Sequence, residues 1–448
     1  MRTSLSTGRA TLSWVPLTWV PLTWVTLGSL LLAGCLAGCA TSRRPTAPVP
    51  PVTVVSDSTL PRIPLARFGH VADDHGVALG GIGSDIYPAS APDEFWMVTD
   101  RGPNGQIKVD GTARRTFPVP DFDPTILRVR AANHSLTVLQ TIPITTSAGR
   151  PVTGLSNTAG RDETPYDLSA SRQLPFNQSG LDTEGLVRTP TGEFWVSEEY
   201  SPSLLHLSAS GTVLARYVPA GVSLPLAGYP VLPTLPGILA HRQSNRGFES
   251  LAISPDGRTL YAALQSPLAL PSAKDGETSR AVRLLAFDTG SGRPIAEYVY
   301  PFDEVTGFDP EADGDQSEMK ISAMSWYGPE TLVVDERTDD VAKLYLVRLG
   351  GATNLLGGPF DDPAHNPALE QAGPGAFVPL TKTSLVDLTA AVPSLPKKIE
   401  GLAVLGPKTI AVANDNDFGM TDGKDAFGDD GRLHDSGTTS RLLVLRLP

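Results

Sequence analysis

Cysteine is almost missing from this chain of 448 residues. There are two, Cys35 and Cys39, and both fall in the first forty positions. Everything after Ala40 therefore has no disulfide and no thiol nucleophile. Basic runs are absent too, and the formal net charge is −12. That balance excludes nucleic acid as the expected partner, because phosphate backbones are held by clustered Lys and Arg. The familiar catalytic signatures are missing as well. There is no G-x-S-x-G elbow, no P-loop and no H-E-x-x-H pair. The seven His are scattered, and His75, His206 and His241 each stand alone. Long apolar runs are confined to the N-terminus.

What is abundant is Gly (43) and Pro (41), which suits a fold with many turns. A unit also comes round five times. The clearest copies start at Asp85, Glu184, Glu249 and Glu400, and a weaker one starts at Ile321. Each begins with a short apolar run, passes a turn such as S-P-D-G or T-P-T-G, and enters a run rich in Trp, Phe, Tyr and Val. Each reaches a second polar position, at Asp100, Glu199, Gln265, Asp415 and Glu336 respectively. Two runs about a turn read as a β-hairpin, whose open end brings first and last residues together. A second hairpin follows in each unit. Four short strands per repeat make a propeller blade. The fold class expected is all-β, a β-propeller of six blades with five legible. The sixth would be degenerate or completed by Pro61–Val71 against the C-terminus. A β-sandwich or two separate domains are the alternatives.

Radial blades bring corresponding ends to one channel. Asp85, Asp100, Glu184, Glu199, Glu249, Gln265, Glu336, Glu400 and Asp415 are therefore expected on one rim. Crowded carboxylates repel, and a hard cation relieves them with oxygen ligands, calcium being the natural choice outside the cytoplasm. Alternatively each acid caps its own blade. Arg101, Arg246, Arg337, Lys397 and Lys398 lie beside these acids. They would hold an anionic group of a substrate, or form local salt bridges. A second cation loop is suggested by Asp309, Glu311, Asp313 and Asp315, which alternate as in the first half of a calcium loop with Gly314 at the sixth place. Its twelfth place is Lys320, so it is not an EF-hand. It reads as a structural calcium loop or as a solvated acidic turn.

The first 39 residues read as an export segment: Arg2 and Arg9, then an apolar stretch, then small residues. A retained transmembrane anchor is the alternative. L-A-G-C35 and L-A-G-C39 both resemble bacterial lipoboxes, which implies lipidation of Cys35 or Cys39 and attachment to the cell envelope. No acidic residue follows either Cys, which by the usual pattern implies the outer membrane. Residues 40–60 read as a Pro/Thr-rich tether, and 61–448 as a single domain, expected to be a monomer.

Further motifs carry a wider resemblance: G-G-I-G-S-D-I-Y, F-W-M-V-T-D-R-G-P, E-G-L-V with F-W-V-S-E-E-Y, N-R-G-F-E-S-L-A-I-S-P-D-G, and K-K-I-E-G-L-A with N-D-N-D-F-G. In that order, from Arg67 to Leu447, they resemble the phytase-like family, also called "esterase-like activity of phytase". The resemblance implies an extracytoplasmic β-propeller and kinship with calcium-dependent propeller phytases. It implies phosphoester hydrolysis, with Glu184, Glu249 and Glu400 at the catalytic rim. Asp85, Asp100, Glu199, Glu336 and Asp415 would hold calcium, and Arg101, Arg246 and Lys398 a small phosphorylated or anionic substrate. The D-A-D-D-P-A-hydrophobic-W stretch of the propeller phytases is absent. A non-catalytic, ligand-binding or protein-binding propeller with structural calcium is the rival reading. An esterase would need a nucleophilic Ser, and the motifs point to none.

Overall fold

The structure is a computed structural model, and it describes residues 51–68 and 71–448. Cys35 and Cys39 lie outside the described residues, as does the export segment. Among the described residues no helix is long and apolar enough to cross a membrane.

Strands dominate, in repeats of four. Blade one contains Asp85–Pro88, Glu94–Val98, Thr125–Ala132 and Ser135–Pro143. Blade two contains Thr183–Arg188, Phe194–Glu198, Ser203–Leu207 and Val213–Pro219, with Val231–Leu235 added in parallel. Phe248–Ile253, Thr259–Leu264, Ala281–Asp288 and Arg293–Pro301 make blade three. Blade four is Lys320–Gly328, Thr331–Arg337, Ala342–Arg348 and Thr381–Asp387. Blade five takes Ile399–Gly406, Thr409–Asn414 and Arg441–Arg446, and is completed by Thr53–Thr59 from the start of the domain. Within each blade the four consecutive strands pair antiparallel.

The first strands touch in the cycle one, two, three, four, five, one. The ring therefore closes with five blades, and the expected sixth is not found among the described residues. Closure also differs from expectation. The closing strand is Thr53–Thr59, which pairs with Arg441–Arg446 from Thr53 opposite Arg446 to Thr59 opposite Arg441. The tether expected over residues 40–60 includes this strand, so the folded chain begins before residue 61. Joining first and last segments in one sheet leaves no open edge at the ring's seam.

The turns behave as their sequences demand. In S-P-D-G, Gly257 adopts φ +73°, its N–H donates to the Ser254 carbonyl, and the Ser254 hydroxyl donates to Asp256. A residue with a Cβ is strained at that φ. Apolar side chains alternate inward along the strands and pack between blades. The side chains of Trp195, Leu251, Phe287 and Val334 are all buried in one such cluster. Trp195 stacks on His206 at 4.5 Å between ring centres, and His206 Nε2 pairs with Glu193 at 3.0 Å. This lone histidine is a packing residue.

Candidate functional site

Backbone hydrogen bonds define which residues are equivalent from blade to blade. The N–H of Glu199 donates to the carbonyl of Asp182 at 3.0 Å, that of Gln265 to Gly247 at 2.8 Å, and that of Asp415 to Lys398 at 3.0 Å. In each case the acceptor lies two residues before the inner acid, Glu184, Glu249 or Glu400. Blade one makes the same bond from Asp100 to Gly81, at 3.3 Å. Its inner position is therefore Gly83, and Asp85 sits two residues deeper in the channel. In blade four Arg337 pairs with Lys320 in the ladder, so the equivalent positions are Ser322 and Arg337.

Two expectations fall with this register. Asp85 does not reach the rim. Its carboxylate accepts from the Leu186 N–H at 2.8 Å and from its own neighbour Ile86, and it lines a different cavity with Tyr87, Trp326 and Leu402. Burial raises its pKa well above the ordinary carboxylate range. Gly83 takes the rim position because blades one and five meet there: a Cβ on it would stand 2.0 Å from the Asn414 carbonyl oxygen. Glu336 points away from the rim as well. It accepts from the Tyr300 hydroxyl at 2.6 Å and the Asp303 N–H at 2.7 Å, and it pairs with Lys382. Period-two alternation puts its neighbour Arg337 on the rim instead.

The acidic loop also departs from expectation. Asp309 accepts from the Glu311 N–H at 3.0 Å and from the Thr338 hydroxyl at 2.6 Å. Asp315 accepts from the N–H and hydroxyl of Ser317 at 3.0 and 2.7 Å. Both act as caps of single-turn 3-10 helices, Pro310–Ala312 and Gln316–Glu318. Among the described residues, the carboxylates of Asp309, Glu311, Asp313 and Asp315 do not gather about a common point. Local backbone capping has outcompeted ligation.

The remaining rim residues do meet. Asp100, Glu184, Glu199, Glu249, Gln265, Glu400 and Asp415 line one cavity of about 450 Å³ with Arg101, Arg246, Arg337 and Lys398. Five charged residues not expected on the rim join them: Asp182, Glu163, Arg115, Lys320 and Asp417. Three of these carried a signal. Asp182, Lys320 and Asp417 each lie two residues from a rim position. Lys320 starts an inner strand and Asp182 immediately precedes one, where the two-residue period returns them to the same face, and Asp417 opens the 3-10 helix Asp417–Gly419 just past Asp415. Glu163 and Arg115 come from connections outside the repeat and carried none. No apolar side chain lines this cavity.

The cavity has two unlike sides. On the blade-four and blade-five side the charges are paired. Arg337 donates to Glu400, with its Nε on the Ser322 hydroxyl at 2.6 Å. Lys398 reaches Asp415 at 3.1 Å and Asp417 at 2.5 Å. On the blade-two side Asp182, Glu184 and Glu199 converge, each offering one oxygen within 4.8 Å of the others, and all three are buried. Glu199 Oε1 and, next to it on blade three, Glu249 Oε2 are buried without a hydrogen-bond partner. Arg101 stands 3.1 Å from Asp182, and Arg246 donates to the Ser317 carbonyl at 2.9 Å.

Electrostatics follow this layout. Burial, then the charge of Glu249, raises Glu184 and Glu199 well above the usual range. Burial and Glu400 push Glu249 up to about 7. Burial also raises Asp100, with Asp415 and Asp182 adding to it, and Asp415 is pushed up to about 8. Buried anions at such spacing are unfavourable alone. A hard divalent cation fits this donor set: three converging carboxylates, all oxygen, with an unpartnered buried oxygen among them.

Comparison with known proteins adds the following. An uncharacterized secreted protein of Arthroderma benhamiae is 28% identical over 305 residues, which is 58% of this chain and 59% of that protein. The chain thus spans less than two thirds of that relative's length. Among solved structures, it is similar to luciferin-regenerating enzyme (10% identity, 82% of this chain and 92% of that one, TM-score 0.34). It is also similar to the calcium-binding protein regucalcin of Agrobacterium tumefaciens strain C58 (11%, 87% and 97%, 0.31). No residue role transfers across such distances. The family model described as "phytase-like: esterase-like activity of phytase" matches residues 77–418, nearly the whole ring. The chain belongs to the phytase-like, esterase-like activity of phytase family.

Proposed function

We propose that this propeller is an exported hydrolase of phosphate esters that works with calcium at the rim of its channel. The observation that carries the reading is the convergence of Asp182, Glu184 and Glu199, with Glu199 Oε1 and the neighbouring Glu249 Oε2 buried and without a hydrogen bond. Membership of the phytase-like family supports the chemistry, and the secreted relative supports export. Asp182, Glu184 and Glu199 would hold the ion, with Asp100 lining the same cavity. Bound there, calcium supplies the positive charge that a phosphoryl group needs as negative charge develops on it.

The chain's own residues then divide the work. Arg101, Arg246 and Lys398 bind and orient the anionic substrate, each lining the same cavity. Glu249, with Oε2 free of hydrogen bonds, is placed to take the proton of an attacking water. Arg337 holds Glu400 in place, so Glu400 serves by shaping the floor. Asp85, Glu336 and the Asp309–Asp315 loop have no part in the reaction. Upstream, lipidation at Cys35 or Cys39 would tether the propeller to the envelope membrane as a monomer.

The test is release of inorganic phosphate from phytate and from p-nitrophenyl phosphate by the purified protein, with calcium or with chelator. Calcium-dependent release supports the proposal. A folded protein that binds calcium and releases no phosphate overturns it in favour of a binding propeller.

A further inference from the structure

One wall of the cavity is an insertion into the repeat. Between the second and third strands of blade one, Gly105–Val109 and Thr112–Thr116 form a hairpin, and Pro165–Tyr166 joins it in parallel. Gln106 and Arg115 are cross-strand partners, so they share a face, and that face lines the cavity. Both reach Glu163. Arg115 Nε lies 3.0 Å from Oε2 and Nη2 lies 3.2 Å from Oε1, and Gln106 Nε2 lies 3.4 Å from Oε1. Arg115 is itself fixed by Nη1 on Asn104 Oδ1 at 2.9 Å. Burial would raise the pKa of Glu163, but Arg115 and Arg101 outweigh it and hold the carboxyl below its usual range.

Arg101 stands between two carboxylates. Its Nη1 is 3.1 Å from Asp182 Oδ2 and 3.7 Å from Glu163 Oε2 without a hydrogen bond to either, while its backbone N–H donates to the other Asp182 oxygen, Oδ1, at 3.2 Å. An arginine facing one buried carboxylate settles into paired, directed hydrogen bonds. Here a second anion, anchored from the insertion, attracts the same nitrogen.

We propose that Glu163, held by Arg115, is a positioning residue: it draws the Arg101 guanidinium partly off Asp182 Oδ2, which keeps that oxygen open to a divalent cation and the guanidinium turned toward an incoming anion. This rests on the reading of the rim as a calcium-dependent phosphoester site. It assigns the inserted hairpin a task that the repeat alone does not perform.

The experiment measures calcium affinity by titration calorimetry, independently of turnover, on the wild-type protein, Glu163→Gln and Glu163→Asp. Thermal unfolding of the chelated proteins and phosphate release from phytate accompany it. Loss of a group that orients a metal ligand typically weakens binding about 10–100-fold, and that is expected for Glu163→Gln. KM should rise as Arg101 closes on Asp182, and Glu163→Asp, which keeps the charge, should restore most of the affinity. Wild-type calcium affinity in Glu163→Gln overturns the inference. So does an equal loss in both variants that tracks their unfolding temperatures, since that is a structural role. If the wild-type protein binds no calcium, the calcium-site reading fails first and takes this inference with it. If it binds calcium and Glu163→Gln binds equally well, the inference fails alone.

Discussion

Glu198 and Glu199 are neighbours in sequence, both buried, and built for opposite ends. Glu198 points between the strands of blade two. It accepts from the N–H groups of Asp182 and Tyr200 at 3.2 and 3.0 Å, from the Ser203 hydroxyl at 2.8 Å, and from Arg216 at 2.6 Å. Arg216 is fully buried and is further held by Asn157 at 3.0 Å. Glu199 points the other way, into the cavity, beside Asp182 and Glu184, with one oxygen unpartnered. A residue's burial and charge are thus the same in two places, and only the completeness of its hydrogen bonds separates structure from function. A buried anion with a full set of donors locks the fold. One without them stores an unfavourable energy that a ligand can release.

The comparison can be broken from the Glu198 side with the largest effect. Arg216→Ala should destabilise the protein by about 3–5 kcal/mol, because it leaves Glu198 buried and unpaired. Equilibrium unfolding in urea, with and without calcium, should show nearly the same loss. A loss confined to the calcium-loaded protein would place Glu198 in the site after all.

From the Glu199 side, saturating calcium should stabilise the wild-type protein by about 2.7 kcal/mol at a hundredfold excess over its dissociation constant. Glu199→Gln should remove most of that gain. The same substitution should leave the chelated protein as stable as wild type or more so, since it deletes a repelling charge. A drop in chelated stability as large as that of Arg216→Ala would erase the distinction between the two neighbours.

A smaller effect sharpens the comparison by pH. Glu249, raised to about 7, and Asp415, raised to about 8, bind their protons more tightly folded than unfolded. Their penalty is absent below the ordinary carboxylate range and grows as pH climbs through it. It is complete above the folded values. The chelated protein should therefore lose stability between about pH 4.5 and 8, and calcium should flatten the slope. Thermal unfolding that rises with pH across this window in chelator would contradict the crowding.

The smallest effect belongs to the acidic loop. Asp315→Asn should change stability by no more than about 1 kcal/mol, the typical worth of a cap, and should leave calcium stoichiometry unchanged. A lost calcium equivalent would restore the loop as a site.

Much of this was legible in the sequence because strands repeat with period two. The five units, the blade of four strands and the shared rim of Glu184, Glu199, Glu249, Glu400 and Asp415 follow from spacing alone. What failed did so for local reasons. Counting fifteen residues from Asp100 and Glu336 lands on Asp85 and Ile321, but the hydrogen-bond register selects Gly83 and Ser322. In blade four the expected pair is displaced by one residue from Ser322 and Arg337, and a one-residue displacement turns every side chain to the opposite face. The sixth blade was expected where the chain supplies only a closing strand, Thr53–Thr59. Glu163 and Arg115 reach the cavity from connections that obey no repeat, so only the folded chain reveals them.

The central claim is that the blade-two side of the cavity is a divalent-cation site required for phosphate release. Its most direct test is phosphate release from phytate by wild-type protein and Glu199→Gln across a calcium titration, with binding measured in parallel by calorimetry. The account predicts that wild-type turnover rises along the binding curve, and that Glu199→Gln, still folded, loses both. Turnover that persists in chelator, or calcium binding that survives Glu199→Gln unchanged, would contradict it.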